Sequence, residues 1–492
     1  METLANIPLL SAITYSPLIG VLIILFIPKT RQSLIRNIAI VASFFPLLIL
    51  IPIIRNFNFE NAGIQLIEKA EWIPTWGISY LLGIDGLSVT LVALTAILGF
   101  LSILASAEIK HRVKEYYIFI LVLISAVFGV FVSLDFILFY LFWEAVLIPM
   151  YFLIGIWGGP RRKYAAFKFF IYTLLGSVLM FIGMLVIYFA AGAHTFNIIA
   201  LYGVELAPLL RNSVFLALFI SFAIKVPIFP FHTWLPDAHV QAPTAVSVLL
   251  AGVLLKMGIY GFLRLSLPLL PEAFEYFIPL FFWLAIINII YGASLAMAQS
   301  DLKRLVAYSS ISHMGFILLG VAAANEISIN GAIIQMFAHG TITGMLFLLV
   351  GMYYQRTHTR DLSELGGLYN QIPVLGGILS FTALASLGLP GLSGFVGEFL
   401  ILIGSFDRFG FLIAFAAIGV LLNAAYLLRM VFKTLMGKEL VKYSKLTDIS
   451  IREVIILTPL VMIIVFMGVA PDAFFKFTTV TVNGFVRMIM GG

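Results

Sequence analysis

The chain has 492 residues, of which 62% are hydrophobic and 11% are charged, with a mean hydropathy of +1.10 and a formal net charge of +6. A soluble globular chain is about half apolar and about a quarter charged, so this composition excludes a water-soluble fold. The sequence contains no cysteine, which excludes iron–sulfur ligation by thiolates, CxxC redox chemistry and disulfides in this chain.

Long apolar stretches predict about fourteen transmembrane helices, since one helical crossing takes roughly 20 residues. The first stretch lacks a basic leading region, so we interpret it as a span and not as a signal peptide. Segment 55–84 is predicted to be the longest loop on one side of the membrane and segment 433–452 the longest on the other. The predicted spans are residues 7–27, 36–54, 85–107, 117–134, 136–157, 166–190, 211–230, 243–264, 275–298, 304–324, 329–353, 372–405, 410–431 and 453–470.

Basic residues are concentrated in alternate loops between these spans. The positive-inside rule therefore predicts an even number of spans and places both termini on the non-cytoplasmic side of a bacterial-type inner membrane. The same distribution favours a multi-pass membrane protein over a nucleic-acid binder. Eighteen cations lie on the predicted cytoplasmic side, namely Lys29, Arg31, Arg36, Lys110, Arg112, Lys114, Arg161, Arg162, Lys163, Lys303, Arg304, Arg356, Arg360, Lys433, Lys438, Lys442, Lys445 and Arg452. Six lie on the other side, namely Arg55, Lys69, Arg211, Arg408, Lys476 and Arg487.

An internal repeat links the middle of the chain with its second half. Matched residue types recur 163 to 168 residues apart, and this common offset argues against chance. Because each copy has five helices, an odd number, the copies are predicted to have inverted orientation, a common build for ion carriers. The matched positions are Thr173, Gly176 and Gly183 with Thr341, Gly344 and Gly351, Asp135 with Asp301, and Pro227 with Pro390.

The predicted fold class is therefore an all-α polytopic membrane protein with two inverted five-helix repeats and two discontinuous helices. Four segments follow from this division of the chain. They are an N-terminal three-helix segment (1–115), a first repeat (116–270), a second repeat (271–435), and a C-terminal loop with the last helix (436–492).

Four ionisable residues, Glu144, Lys225, Lys256 and Glu398, are predicted to lie within the spans. A charge inside the bilayer costs roughly 2.5–3.5 kcal/mol on insertion scales, so such residues indicate a function or a compensating charge. Desolvation favours the neutral form of both lysine and carboxylate, which allows them to take up and release protons. The set therefore predicts proton translocation, with Glu144 switching the charge of Lys225. The alternative is an inert buried ion pair between helices, although such pairs are weak stabilisers.

Prolines predict that two spans are broken. Pro227 and Pro230 follow the lysine of the seventh span, and each removes an amide donor and disfavours helix in the preceding residue. In the twelfth span a glycine-rich stretch around Pro390 predicts a second break, after which Ser393 is expected to cap the half-helix that carries Glu398. Unwound backbone at membrane depth is tolerated only where it is buried or lines a wet cavity. The alternative is an ordinary proline kink.

Histidines extend the predicted relay. His313 and His339 lie within the tenth and eleventh spans and are candidates for proton transfer at neutral pH, or for hydrogen bonding between packed helices. His232, Asp237 and His239 lie between the seventh and eighth spans, where they are candidates for proton access or helix capping.

The sequence has no G-x-G-x-x-G after a strand, no Walker A motif and no metal-ligand spacing, so we predict no metal, nucleotide or redox cofactor in this chain.

Two runs resemble a known family. The run from Lys225 to Lys256, KVPIFPFHTWLPDAHVQAPTAVSVLLAGVLLK, is similar to the signature of the antiporter-like subunits of respiratory complex I, and so is AYSSISHMG at 307–315. The resemblance covers nearly the whole chain. Three features are similar to the M (chain 4) branch: the run LFWEAVLIPMYFLIGIW around Glu144, a glutamate at Glu398 where the L and N branches have lysine, and an end after the fourteenth span, without the lateral helix of the L branch.

The resemblance implies a proton-translocating membrane-arm subunit of an NADH:quinone oxidoreductase. It implies that Glu144 is the switch carboxylate, Lys225 its partner, Lys256 the central relay, His339 a bridge between half-channels, and Glu398 the exit-side group. NADH, FMN, iron–sulfur clusters and quinone are then expected in partner subunits. The other expected partners are the sister L and N subunits, membrane lipids and protons, with no nucleic acid.

Two other functions stay open from the sequence. The first is a subunit of a multisubunit sodium/proton antiporter or of a membrane-bound hydrogenase. The second is a purely structural membrane subunit. The glutamate at Glu398 and the run VQAPT at 240–244 favour the oxidoreductase.

Overall fold

The computed structural model describes residues 7–192 and 194–489. Helices form almost all of this part, and its named strands are one antiparallel pair. The helices are α1 (Leu9–Phe26), α2 (Gln32–Asn56), α3 (Gly86–Ala105), α4 (Val113–Val132), α5 (Phe136–Ala145), α6 (Leu147–Trp157), α7 (Arg162–Ala190), α8 (Pro208–Lys225), α9 (Trp234–Gln241), α10 (Thr244–Leu249), α11 (Leu255–Gly261), α12 (Leu267–Leu269), α13 (Pro271–Met297), α14 (Leu302–Ala323), α15 (Glu326–Thr357), α16 (Pro373–Ser386), α17 (Ser393–Phe409), α18 (Ala414–Leu435), α19 (Ile451–Val469) and α20 (Asp472–Ile489). The strands are β1 (Gln65–Ile73) and β2 (Ile78–Ile84).

Thirteen stretches in the described part of the chain are long and apolar enough to cross a membrane. One of them, Ser393–Leu435, contains both α17 and α18, so separating these helices gives fourteen spans. The shorter apolar helix α16 precedes α17 and forms the first half of the broken twelfth span. The predicted all-α polytopic membrane fold is therefore confirmed.

Close contacts divide the chain into two compact units. The first unit contains the described residues of Met1–Lys225, Lys256–Phe277 and Phe477–Gly492. The second unit contains Val226–Leu255 and those of Ile278–Lys476. The boundaries of the four segments expected from the sequence stay a prediction.

The same local arrangement opens the fifth and tenth spans. Asp135 caps the start of α5 and Asp301 caps the start of α14, each through its carboxylate, which satisfies amides that a helix start leaves unpaired. Each aspartate also pairs through its backbone with a later loop, Asp135 with Asn197 and Asp301 with Asp361. This arrangement occurs once within each unit, 166 residues apart, and supports the internal repeat.

The seventh span is broken where its prolines predict. α8 ends at Lys225, and α9 begins at Trp234. Between them, the buried Asn288 of α13 accepts a hydrogen bond from the amide of Phe229 at 2.8 Å and donates one to the carbonyl of Pro227 at 3.2 Å. Since backbone groups at membrane depth must be paired inside the protein, Asn288 is the residue that allows this break.

The twelfth span is broken by glycines. α16 ends at Ser386 and α17 begins at Ser393. Between them, Gly388 and Gly391 have φ values of +83° and +90°, in the left-handed region that favours glycine. Leu392 occupies the N-cap position of α17 and makes no side-chain capping bond, so the expected cap by Ser393 is wrong. The serine is already helical and cannot reach back over the start of its own helix.

The fifth span contains an interruption that the sequence analysis did not predict. α5 ends at Ala145 and α6 begins at Leu147. Pro149 has no amide to donate to the carbonyl of Ala145, four residues earlier, which explains the missing helical hydrogen bond. Glu144 therefore lies in the last turn of α5, beside backbone that is not fully paired within its helix.

Two further elements lie outside the predicted spans. Segment 55–84, predicted as a loop, contains the β1–β2 hairpin. Glu68 on β1 accepts hydrogen bonds from the amides of Leu10 at 2.7 Å and Ser11 at 3.0 Å, and so caps the start of α1. In the C-terminal part of the chain, α20 follows the last predicted span and carries Lys476 and Arg487, two of the cations that the sequence analysis placed on the non-cytoplasmic side.

Candidate functional site

In the first unit, Lys225 is the last residue of α8, and its side chain is buried. Its Nζ lies 5.2 Å from the centre of the Trp143 ring and 5.9 Å from that of Phe169. Aromatic faces at this distance attract a cation. The charged group that acts on Lys225 is Glu144, which is adjacent to Trp143 in the sequence.

Neither charged end of this pair is fully satisfied by hydrogen bonds. Nζ of Lys225 and Oε1 of Glu144 are buried, and neither has a hydrogen-bond partner among the described residues. Buried polar atoms are almost always paired in native proteins, so two unpaired atoms of opposite charge need an explanation. A carboxylate and an ammonium that are close enough to interact but are not bonded form an electrostatic pair that small movements can strengthen or weaken.

Lys256 lies at the centre of the eighth span and has no exposed surface. It belongs to α11, a short helix flanked by two π-helical turns, Leu250–Leu254 and Phe262–Ser266. The apolar stretch of 18 residues at the core of this span is entirely buried. Single π-helical turns occur mostly inside α-helices and frequently at functional sites, which marks the segment around Lys256 as a candidate site.

In the second unit, Glu398 lies beside the break in the twelfth span and is nearly fully buried. Its Oε1 lies 2.9 Å from Nδ1 of His313 on α14, and it accepts a hydrogen bond from Nε2 of Gln335 on α15 at 3.3 Å. On the other side of the ring, Nε2 of His313 lies 3.3 Å from Oγ of Ser386, the last residue of α16. One imidazole therefore joins the two halves of the broken span.

This arrangement can move a proton through the imidazole. An ionised Glu398 accepts from the Nδ1–H of His313, and Nε2 is then the ring nitrogen that accepts from the hydroxyl of Ser386. A histidine that binds a proton at one nitrogen can release another from the second nitrogen, which is the basis of its role as a shuttle. His339 lies close by, with its ring centre 5.7 Å from that of His313.

The three candidate access residues lie on or next to α9. His239 is fully buried and stacks on Phe347 with ring centres 4.5 Å apart. His232 lies against Tyr291, with ring centres 5.3 Å apart. Asp237 is in the first turn of α9 and pairs with Arg304 at 3.8 Å. None of the three is the N-cap residue of α9, which is Thr233.

Sequence reasoning missed a second buried ion pair. Arg264 in the eighth span is 1% exposed and donates to the carboxylate of Asp85, the N-cap residue of α3, at 2.6 Å. Arg264 also donates to the hydroxyls of Ser88 and Tyr260, each at 3.2 Å. This pair is fully hydrogen-bonded, unlike Lys225 and Glu144, which fits a structural role. The sequence does contain a signal for this pair, because Arg264 lies eight residues after Lys256 on the same face of the predicted helix.

No group of three or more His, Cys, Asp or Glu side chains within residues 7–192 and 194–489 is arranged to hold a metal ion. The chemistry that the ionisable residues described above offer is the transfer of protons between buried carboxylate, imidazole and amine groups.

Two family models match the sequence. The model described as "NADH:quinone oxidoreductase/Mrp antiporter, TM" matches residues 133–423. The model described as "NADH-ubiquinone oxidoreductase chain 4, amino terminus" matches residues 13–132. The first match alone covers more than half of the chain, and it includes Glu144, Lys225, Lys256, Arg264, His313 and Glu398.

Comparison with individual proteins indicates the same family. The chain is 46% identical over 483 residues to NADH-quinone oxidoreductase subunit M from Rhodobacter capsulatus, covering 94% of this chain and 93% of that protein. Its structure is similar to a chain of respiratory complex I from Thermus thermophilus, with a TM-score of 0.89, 31% identity, and coverage of 98% of this chain and 99% of that chain. A chain of the Mrp complex from Dietzia sp. DQ12-45-1b has a similar fold, with a TM-score of 0.86 at 19% identity and coverage of 99% and 100%.

Proposed function

This chain belongs to the family of NADH-quinone oxidoreductase M subunits, and from that premise we propose that it translocates protons in the membrane arm of such an oxidoreductase. The observation that carries the proposal is the buried chain Ser386–His313–Glu398 at the break of the twelfth span. A carboxylate and an imidazole at this depth give a purely structural subunit no advantage in stability, because apolar side chains of similar volume stabilise the fold at least as well.

In the first unit, Glu144 acts as the switch and Lys225 as the group that it controls. The absence of a hydrogen-bond partner at Nζ of Lys225 and at Oε1 of Glu144 among the described residues supports this role, since the lysine can strengthen or lose its interaction with the carboxylate. When the carboxylate approaches, the ammonium form of Lys225 is stabilised. When it withdraws, the aromatic and apolar surroundings favour the neutral amine, and Lys225 releases its proton.

In the second unit, Glu398 takes the proton from His313 on the exit side. Once Nε2 has bound a proton, the step breaks the Nδ1–H bond of the imidazolium and forms an O–H bond on the carboxylate across 2.9 Å, which leaves a neutral imidazole. Gln335 holds the carboxylate by its amide, which orients Oε1 towards the ring. The roles of Lys256 as central relay and of His339 as bridge between half-channels rest on the family resemblance.

The driving reaction belongs to partner subunits in this proposal. NADH, FMN, iron–sulfur clusters and quinone are bound there, and this chain contributes no redox centre. The L and N sister subunits are the expected neighbours in the membrane. Both termini lie on the non-cytoplasmic side of a bacterial-type inner membrane, as the distribution of loop cations predicts.

The second candidate function is a subunit of a multisubunit sodium/proton antiporter or a membrane-bound hydrogenase. The similarity of fold to the Mrp chain favours it, but at 19% identity that likeness extends to the fold alone. The 46% identity to an oxidoreductase subunit over nearly the whole chain favours the first proposal. Copurification of this chain with NADH-oxidising subunits distinguishes the two.

Two substitutions in the assembled complex test the proposed function. In membrane vesicles, Glu144→Gln and Lys225→Ala are each expected to reduce proton uptake per NADH oxidised by at least about tenfold, because each removes one partner of the switch. Native gel electrophoresis checks that the complex still assembles. Proton uptake at the wild-type level in both variants, with normal assembly, would leave only a scaffold role.

A further inference from the structure

Lys303 is a buried cation outside the predicted relay. The sequence analysis placed it in a loop, but it is the second residue of α14 and only 5% exposed. Its Nζ donates a hydrogen bond to the carbonyl of Ala242 at 2.5 Å. Ala242 is the C-cap residue of α9, where a helix presents unpaired carbonyls and partial negative charge.

The charged groups around Lys303 are already paired with one another. Arg360 and Asp301 are the charges that act on it. They form an ion pair at 3.3 Å, and Arg360 also donates to the carbonyl of Val240 at 3.1 Å. Asp237 on α9 pairs with Arg304. The described hydrogen bond of Lys303 therefore goes to a neutral carbonyl, and a buried ammonium without a carboxylate bonded to it is costly to keep charged.

α14 leads from Lys303 to the Glu398 cluster. Ser310 and His313 follow seven and ten residues later, spacings that place all three side chains on one face of the helix. Both are buried on the second unit's α14. At 1.5 Å per residue, about 10 Å along the axis separates Lys303 from Ser310, and about 4.5 Å separates Ser310 from His313. Lys303, Ser310 and His313 therefore lie along one face of α14, from its first turn to the imidazole that contacts Glu398, with the small or apolar Val306 and Ala307 between Lys303 and Ser310.

We propose that Lys303 is a proton-entry residue of the second unit, on the predicted cytoplasmic side. This inference rests on the proposed function and adds a residue to it. The ammonium of Lys303 gives up one N–H proton, which passes through water molecules and the hydroxyl of Ser310 to the unprotonated nitrogen of His313. The neutral amine then takes a replacement proton from water at the cytoplasmic face. Each cycle restores the ammonium and adds one proton to the relay.

The competing explanation is that Lys303 only anchors the end of α9. Three substitutions separate the two roles in the assembled oxidoreductase. Lys303→Arg keeps a permanent charge and donors for the carbonyl of Ala242, but an arginine does not release its proton. Lys303→Gln keeps a neutral N–H donor for the same carbonyl. Lys303→Met keeps neither, and Lys433→Met, which removes an exposed cation in the last turn of α18, serves as the matched control.

The measurement is proton uptake per NADH oxidised in membrane vesicles, together with assembly on native gels. We expect the three Lys303 variants to assemble and to lose about tenfold of this uptake, because none of them both binds and releases a proton at this position. Lys433→Met is expected to match the wild type. Wild-type uptake in Lys303→Arg or Lys303→Gln would assign only the anchoring role and overturn the proposal. Failure of all three variants to assemble would assign the lysine to folding and overturn it as well.

Lys225→Ala, measured in the same vesicles, separates this inference from the proposed function. If Lys225→Ala also takes up protons normally, the proposed function itself fails. If Lys225→Ala is defective while Lys303→Arg and Lys303→Gln are normal, the proposed function stands and the entry role of Lys303 fails.

Discussion

At the break in the seventh span, a side chain from another helix binds the freed backbone groups, whereas at the break in the twelfth span glycines form the turn. Asn288 supplies a donor and an acceptor to the first break. Gly388 and Gly391 supply left-handed backbone to the second. The ionisable residues beside the two breaks differ in the same way. Lys225 has no hydrogen-bond partner among the described residues, and Glu398 has two.

The difference suggests two kinds of proton chemistry in one chain. An unbonded amine near a carboxylate changes its charge when the carboxylate moves, so the first arrangement suits a switch. A carboxylate bonded to an imidazole passes a proton over a fixed distance of 2.9 Å, so the second suits a relay. Substitutions at the relay and at each break distinguish these two arrangements.

The largest expected effect concerns the relay. Glu398→Ala removes the group that accepts from His313, and we expect proton uptake per NADH to fall by about a hundredfold, within the range of general acid–base catalysis. Glu398→Lys is expected to keep more activity, because a lysine also binds and releases a proton and can donate to a neutral ring nitrogen. Glu364→Ala, at an exposed loop position, is the control. Equal losses in the alanine and lysine variants would contradict a relay through this position.

An intermediate effect is expected at the first break. Asn288→Leu leaves the amide of Phe229 and the carbonyl of Pro227 unpaired, and each buried unpaired group costs about 1–3 kcal/mol of stability. We expect the purified complex to lose its structure at a clearly lower temperature, measured as the midpoint of thermal unfolding. Ser294→Ala on the same helix is the control, since its exposed hydroxyl only donates to the carbonyl of Ile290. An unchanged midpoint for Asn288→Leu would mean that Asn288 does not hold the break.

The smallest effect is expected at the second break. Gly388→Ala forces a side chain into the left-handed region, which costs roughly 1–2 kcal/mol. Its added carbon would also lie 3.4 Å from Oε2 of Glu398. We therefore expect a modest decrease in the unfolding midpoint and in proton uptake. Gly377→Ala is the matched control, because nothing lies within 4 Å of its added carbon and its backbone is helical. Gly388→Ala behaving like Gly377→Ala would show that the turn does not need a glycine.

Much of this protein follows from its sequence alone. Apolar stretches of about 20 residues have one stable outcome in a membrane, a helix that satisfies its own backbone groups, so the spans follow from composition. The break at Pro227 follows from the missing amide of proline, and the break around Pro390 from the glycine-rich stretch that contains it. The buried ionisable residues stand out because little else in such a chain is charged.

Only the tertiary structure decided which groups meet. Nothing in the sequence indicates that Asn288 hydrogen-bonds to the backbone of the seventh span. Nor does it indicate that Arg264 pairs with Asp85, which lies 179 residues earlier in the sequence. The contact of His313 with both Ser386 and Glu398 likewise depends on how α14, α16 and α17 pack together. Lys303 shows the same limit. Its position near the end of a span predicts a loop cation, and its burial depends on the end of α9, which lies about 60 residues away in the sequence and supplies the carbonyl that binds it.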